Sequence, residues 1–330
     1  MRKEIAVICV ILLFLSIINN CTSQQSPTRP PPPDEIKPTP TPDMKNWQVL
    51  LLDEEQEIPQ NGACVLIDNK IHIMGGKYKN NKYNNIIYLD GENGWVTKSA
   101  EGDFGNKYFH TANYFKNNLY IIMGLNNNKE SQEIFYLKDG ITWTAISEIN
   151  ISARYGHFSL IFNNKLFIIA GKNADGYLND IWVFEDGLKF KKLENMGKKF
   201  SPRADFGALS YNNKIWIIGG EDNEGFKNDV WYSENGMDWE IATDNARFSK
   251  RSKFSAVVYK NRIWILGGKT ESGAINDVWW SIDGVNWVSI TAKTIFSERF
   301  DHYCIEKDGF LWIVGGSNAK GQLNDIWKCQ

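Results

Sequence analysis

The sequence predicts an all-β fold in which one four-stranded unit is repeated six times, and three observations carry that prediction. The first is a glycine period. Gly-Gly follows an apolar run at 75–76, 219–220, 267–268 and 315–316, with degenerate copies at Met123-Gly124 and Ala170-Gly171. The second glycines stand at 76, 124, 171, 220, 268 and 316, in steps of 48, 47, 49, 48 and 48, and a fixed period of that length marks a repeat architecture. The second observation is a two-run pattern inside each unit, a half-apolar run and then a continuous apolar one. The third is a tryptophan at a fixed place downstream, at 95, 143, 239 and 287, with Phe190 in the third unit.

Each unit reads as four short strands in order. The first is half-apolar, as in FGALSY (206–211). A tight turn follows at Asn117-Asn118, Asn163-Asn164, Asn212-Asn213 or Lys260-Asn261, since asparagine accepts positive φ. The second strand, as in KIWIIGG (214–220), is apolar throughout, which implies burial on both faces. Its closing glycines suit a bulge or a close backbone approach. A loop of about eight residues is expected next, and then a third strand such as DVWYS (229–233). Asp139-Gly140, Asp186-Gly187, Asn235-Gly236 and Asp283-Gly284 predict another tight turn, and the fourth strand starts at the tryptophan.

The Gly-Gly, the downstream tryptophan and the spacing resemble the kelch repeat, over essentially the whole chain from residue 43. The resemblance implies a six-bladed β-propeller, each repeat one blade around a central channel. It says little about function, because propellers host many activities. The ends predict how the ring closes. The last unit stops at NDIWKCQ without a fourth strand, while NWQVLLLD (46–53) precedes the first unit. Trp47 to Pro59 is 12 residues, as are Trp239 to Arg251 and Trp287 to Arg299. The N-terminal strand should therefore complete the last blade, so that no sheet edge is left open to aggregation.

Residues 1–42 lie outside the repeats. Arg2 and Lys3 precede an apolar run from Ile5 to Ile18, the length of a signal-peptide core, and Cys21 follows. This resembles a bacterial lipoprotein signal, with 1–20 the signal peptide and Cys21 the lipidation site; Ile18, Asn19 and Asn20 depart from the small residues usual before the cysteine. Eight of the ten prolines lie between Pro27 and Pro42. Such a stretch favours polyproline II and would span roughly 50 Å at about 3.1 Å per residue. Residues 21–42 read as anchor and tether, and 43–330 as the propeller. The expected place is the cell envelope, membrane-anchored on its periplasmic or outer side.

Several function classes are excluded or weakened. A formal net charge of −2 gives no field for nucleic acid. No P-loop, HExxH or Gly-x-Ser-x-Gly is present, and no cofactor is implied. Ser281-Ile-Asp-Gly-Val-Asn-Trp287 resembles a sialidase Asp-box one residue short, a motif that is itself structural. His110, His157 and His302 share a repeat position with Phe206 and Phe254, which suggests packing more than metal binding. Cys64 and Cys304 share another with Ala112, Ser159, Ala208 and Ala256, where first strands would crowd. Once the ring closes, those two cysteines are in adjacent blades, and a disulfide is conceivable.

Arg154, Arg203, Arg251 and Arg299 each stand 17 residues before the second glycine of their unit, with Lys107 and Pro59 in the other two. They could form a cationic ring for a carboxylate or phosphate. The third strand opens with Asp180, Asp229, Asp277 or Asp325 in the same four units, Glu133 in the unit with Lys107, and Asn85 in the unit with Pro59. Basic and acidic positions are lost together, which predicts ion pairs between first and third strands. What varies is the loop content, where Tyr78, Tyr83, Tyr177 and Phe226 sit amid Asn and Lys and suit a protein partner or glycan. Second glycine to third strand is 9 residues in every unit, leaving no long insertion to build an enzyme pocket. The expected function is thus a monomeric binding module. The alternative is a carbohydrate-active enzyme such as a sialic acid mutarotase, an activity found among exported kelch propellers, for which Arg203 and Glu224 are the sort of residues available.

Overall fold

The structure is a computed structural model and describes residues 44, 46–50, 57–79, 81–91, 94–98, 103–137, 140, 142–185, 189–194, 197–290 and 295–330. The leader, Cys21 and the proline-rich segment lie outside the described residues, as do Asp139, Asp186 and Gly187 of two expected turns. Asp43–Gln330 form one compact unit.

Among the described residues this unit holds six four-stranded antiparallel sheets. Blade four shows the pattern: Gly207–Tyr211, Lys214–Asp222, Gly225–Ser233 and Glu240–Thr243, hydrogen-bonded in chain order. The first strands neighbour one another around a ring, Ala63–Ile67, Thr111–Phe115, Phe158–Phe162, Gly207–Tyr211, Ser255–Tyr259 and Tyr303–Lys307, and the last lies beside the first. Closure is by the N-terminal strand. Gln48–Leu50 pairs antiparallel with Ile326–Cys329, Val49 opposite Trp327, and becomes the fourth strand of blade six. The seam is also laced by side chains: the Ile58 N–H donates to Asn324 Oδ1 at 2.6 Å, and Gln60 reaches the Gly316 carbonyl and Ser317.

The core lies between blades and repeats with them. The fourth-strand tryptophan meets, edge to face, an aromatic from the segment entering its own blade: Trp143 on Phe104, Trp239 on Phe200 and Trp287 on Phe248, with centroids 5.0–5.1 Å apart. Trp47 on Phe296, 5.1 Å, is the same contact made by the closing strand. Such pairs contribute about 0.5–1.5 kcal/mol beyond area burial.

Three expectations need correction. In blade two the tight turn is Lys116-Asn117, one residue earlier than expected, because Phe115 pairs with Asn118; both turn residues have positive φ. Asn235-Gly236 and Asp283-Gly284 are not two-residue turns. Strands end at Ser233 and Ser281 and resume at Glu240 and Val288. The Ser281 hydroxyl accepts the Gly284 N–H, and Asp283 Oδ1 accepts the Val285 and Asn286 N–H groups. That accounts for the Asp-box-like stretch as a side-chain-capped turn. Finally, the expected eight-residue loops are hairpins. In blades three to five the second and third strands continue through the glycines as nine-residue strands, with a register shift such as Ile218/Gly220. Blades one, two and six carry the same hairpin as two-residue strands.

Candidate functional site

The four arginines begin in a cassette that the sequence repeats: Ile151-Ser-Ala-Arg154, Phe200-Ser-Pro-Arg203, Phe248-Ser-Lys-Arg251 and Phe296-Ser-Glu-Arg299. Each side chain is 0–1% exposed. Arg251 is representative. Its Nε donates to the Ser249 carbonyl at 3.0 Å, NH1 to the Gly267 carbonyl at 3.0 Å and Asp277 Oδ1 at 2.6 Å, NH2 to Ser249 Oγ at 2.9 Å and Asp277 Oδ2 at 2.8 Å. A guanidinium has five N–H groups, and all are used. Arg154, Arg203 and Arg299 repeat the arrangement with Asp180, Asp229 and Asp325. Lys107 meets Glu133 at 3.0 Å in blade two.

Each aspartate also accepts a tryptophan N–H, Trp279 to Asp277 at 2.7 Å for one. Burial alone would raise the Asp180 and Asp325 carboxyls, but hydrogen bonds and charge from Arg154 and Arg299 outweigh it and hold both below the usual range. The arginine backbone then ties blades together: the Arg251 carbonyl accepts the Gly220 N–H of the preceding blade at 2.9 Å. As ligand-binding candidates the arginines are therefore spent, buried and saturated by their own repeat. The acceptor carbonyl belongs to the first glycine of the pair, at φ +52° to +60° in Gly219, Gly267 and Gly315, and Ala170 takes the same conformation.

The loop aromatics lie on the hairpins, half-buried. Tyr177 donates its hydroxyl to Glu221 at 3.0 Å, and burial followed by the Glu221 charge raises its pKa to about 12. Tyr83 donates to Glu57, while Tyr78 and Phe226 pair across their hairpins with Asn81 and Glu221. Lys172 lies over both Tyr155 and Tyr177 and bridges to Glu221 at 3.0 Å. Each hairpin also bridges to the segment that enters its own blade, as Lys172 does to Tyr155 and Lys269 to Ser252. The hairpins and inter-blade segments thus share one face. Arg203 and Glu224 do not form a site, since Arg203 is saturated and Glu224 is at a hairpin tip, paired with Lys227 at 2.7 Å.

The central channel opens on that face, and this feature went unread in the sequence. One repeat position forms its rim: Asn61, Phe109, Gly156, Asp205, Lys253 and Asp301, every one at φ +53° to +61°. At Phe109, Asp205, Lys253 and Asp301 the left-handed backbone gives its N–H to the rim carbonyl of the neighbouring blade. Lys253 donates to the Asp205 carbonyl at 2.9 Å, Asp301 to the Lys253 carbonyl at 3.0 Å, and Asp205 to the Gly156 carbonyl at 2.9 Å. Asparagine, aspartate and glycine are the residues that adopt this conformation easily, but Phe109 and Lys253 conceal the pattern.

Below the rim lies a cavity of about 280 Å³, whose walls include His110, His157, His302, Ser159, Cys64 and Cys304. The cysteines are free, and burial pushes the Cys64 thiol up to about 12 and Cys304 up as well. Lys253 Nζ is 3.4 Å from Asp301, and the Asn61 side-chain amide, turned so that its nitrogen faces that carboxylate, donates to it at 3.1 and 3.2 Å. Burial raises Asp301, with Lys253 opposing it, and raises Asp205 to about 6. Burial and then the nearest cation lower the three histidines to about 3, so they are neutral. Among the described residues no group of three or more His, Cys, Asp or Glu is placed to hold a metal ion.

Six four-stranded blades, ring closure by the N-terminal strand and glycine bulges locked by buried arginines define a kelch-type β-propeller. The model of the KLHDC2/KLHL20/DRC7 kelch-repeats domain matches residues 41–220, 142–280 and 186–330, and the chain belongs to that kelch-repeat family. No curated protein matches the chain. Kelch repeats of this kind form interaction domains.

Proposed function

We propose that the chain is an exported, lipid-anchored, non-enzymatic binding module that holds a protein partner on its hairpin face. The observation that carries this reading is a division of labour. What repeats, the arginine cassettes, glycines and tryptophans, is buried and consumed in holding the ring, whereas the hairpin tips differ from blade to blade. Blade one offers Tyr78, Lys79 and Tyr83, blade three Asp175 and Tyr177, blade four Glu224 and Phe226. Aromatics mixed with polar groups suit a protein interface, and the family match to an interaction domain supports it. The hydrophobic stretch before Cys21 and the proline-rich tether support export and anchoring. A mutarotase gains no support from Arg203 and Glu224, which do not meet.

The test is photo-crosslinking in cells from a reactive amino acid placed at Tyr177 or Phe226, against one placed at Asn164 or Val285 on the turn face. Crosslinks to one protein from the first pair only are expected. Crosslinks from the turn face alone, or from neither face, would refute the reading. Cys21→Ser should move the protein from the membrane to the soluble fraction, and unchanged membrane association would refute the anchor.

A further inference from the structure

The channel mouth carries groups that the hairpin reading leaves unused. Among the described residues, none donates a hydrogen bond to the Asp205 carboxylate, although Asp205 stands on the rim beside a lysine and a second carboxylate. Lys253 reaches Asp301 and lies over the Phe109 ring, 4.9 Å from its centroid. Asp205, Lys253 and Asp301 all line one cavity, and a polar group left without a partner in a folded protein calls for an explanation.

The kind of molecule that would satisfy them follows from sign and valence. Asp205 needs a donor and Lys253 can serve acceptors. An anion entering the mouth would meet Asp205, Asp301 and Glu221; a cation would meet Lys253 and Lys172. An apolar guest would leave every one of these groups unpaired. A neutral molecule with donors and acceptors on neighbouring atoms suits them all. A volume of about 280 Å³ is at the small end of the ligand-pocket range of about 300–1,000 Å³. We infer that the channel mouth is a binding site for one monosaccharide-sized polyol, held by Asp205, Lys253 and Asp301. The site is distinct from the hairpin tips and needs no chemistry on the sugar.

The experiment is saturation-transfer NMR followed by calorimetry on the full chain at pH 7.5. The probes are D-glucose, D-galactose, D-mannose, D-ribose and N-acetylglucosamine, with methylguanidinium and acetate as charged comparisons. At least one sugar should bind, with Kd on the order of 1 mM or tighter. Asp205→Gly places in blade four the residue that blade three already has as Gly156, so the positive φ is kept without strain. It should weaken binding at least about tenfold, and Asp205→Asn should do the same. Val285→Ser on the other face should bind like wild type. The inference is overturned if no sugar binds, or if only methylguanidinium or acetate does. It is equally overturned if both Asp205 variants bind at wild-type affinity. Loss of sugar binding in Phe226→Ser with retention in Asp205→Gly would place the sugar on the hairpins and also overturn it. None of these outcomes bears on the protein crosslinks from Tyr177 and Phe226.

Discussion

Trp47 and Phe296 pack edge to face with ring centroids 5.1 Å apart, although 249 residues separate them in the chain. Every equivalent contact in the other blades is local. This one joins the two ends of the propeller, and both rings are buried in a cluster with Met44, Trp280, Leu311 and Cys329. Trp47→Ala should cost about 3–5 kcal/mol, the range for deleting a large buried ring. Deleting residues 43–55 should abolish soluble monomer, because Ile326–Cys329 would become an open edge. Chemical denaturation and size-exclusion chromatography check both, and a deletion protein that melted like wild type would disprove the closure.

The two glycines of each pair should differ in tolerance. A Cβ on Gly220, at φ +98°, would lie 2.6 Å from the Phe206 Cβ and 2.9 Å from the Ala204 carbonyl oxygen. On Gly219, at φ +52°, the nearest atoms would be 3.0–3.3 Å away, and Ala170 already holds that position in blade three. Gly219→Ala should cost about 1–2 kcal/mol, the left-handed penalty. Gly220→Ala should cost more than about 3 kcal/mol, because backbone cannot move aside as a side-chain end can. Thermal unfolding of the pair decides it; equal losses would contradict the bulge geometry.

Acid should destabilise the fold through the channel histidines. His110, His157 and His302 have folded pKa values of about 3 against an ordinary 6.5, burial being the largest cause. The unfolded chain therefore binds more protons between those values, so stability is full above pH 6.5 and falls as pH drops. The loss is about 1.4 kcal/mol per histidine per pH unit. Asp205, raised to about 6, works the other way. It takes up a proton in the folded state first and returns about 1 kcal/mol by pH 5.5. Asp301, also raised by burial, adds to that return, so the net expectation is a loss of at most about 3 kcal/mol between pH 7 and 5.5. His302→Phe, which copies Phe206 and Phe254, should remove about 1.3 kcal/mol of that loss. Denaturation midpoints measured across the pH range check it, and a stability flat from pH 7 to 5 would contradict it.

What could be read from the sequence was whatever the repeat copies. The glycine period, the closing Trp47 and the joint loss of the basic and acidic positions in the one unit that carries Pro59 and Asn85 are relations between copies, and they set out the ring and the pairing. The hairpins beyond the glycines are not legible from polarity, because a polar stretch reads as a loop. Asn173 to Gly176, Asp222 to Gly225 and Asn318 to Gly321 could have revealed them. Each polar side chain accepts an N–H two residues on, from Asp175, Glu224 or Lys320, and glycine takes the last position at φ +109° to +125°. The channel rim could not have been read by comparing copies. Its six positions share a backbone conformation but almost no side-chain chemistry, and burial of Asp205 arises only when six blades converge.

The central claim is that the repeated basic and acidic residues hold the ring and do not bind a ligand. It is tested most directly by a double-mutant cycle on Arg251 and Asp277. Asp277→Ala strands the fully buried Arg251 guanidinium and should cost about 3–5 kcal/mol, whereas Arg251→Ala leaves a carboxylate that is 38% exposed and should cost less through its stranded charge. The double variant should cost less than the sum by about 2 kcal/mol or more, since contacting residues couple. Additive losses in denaturant unfolding would contradict the account.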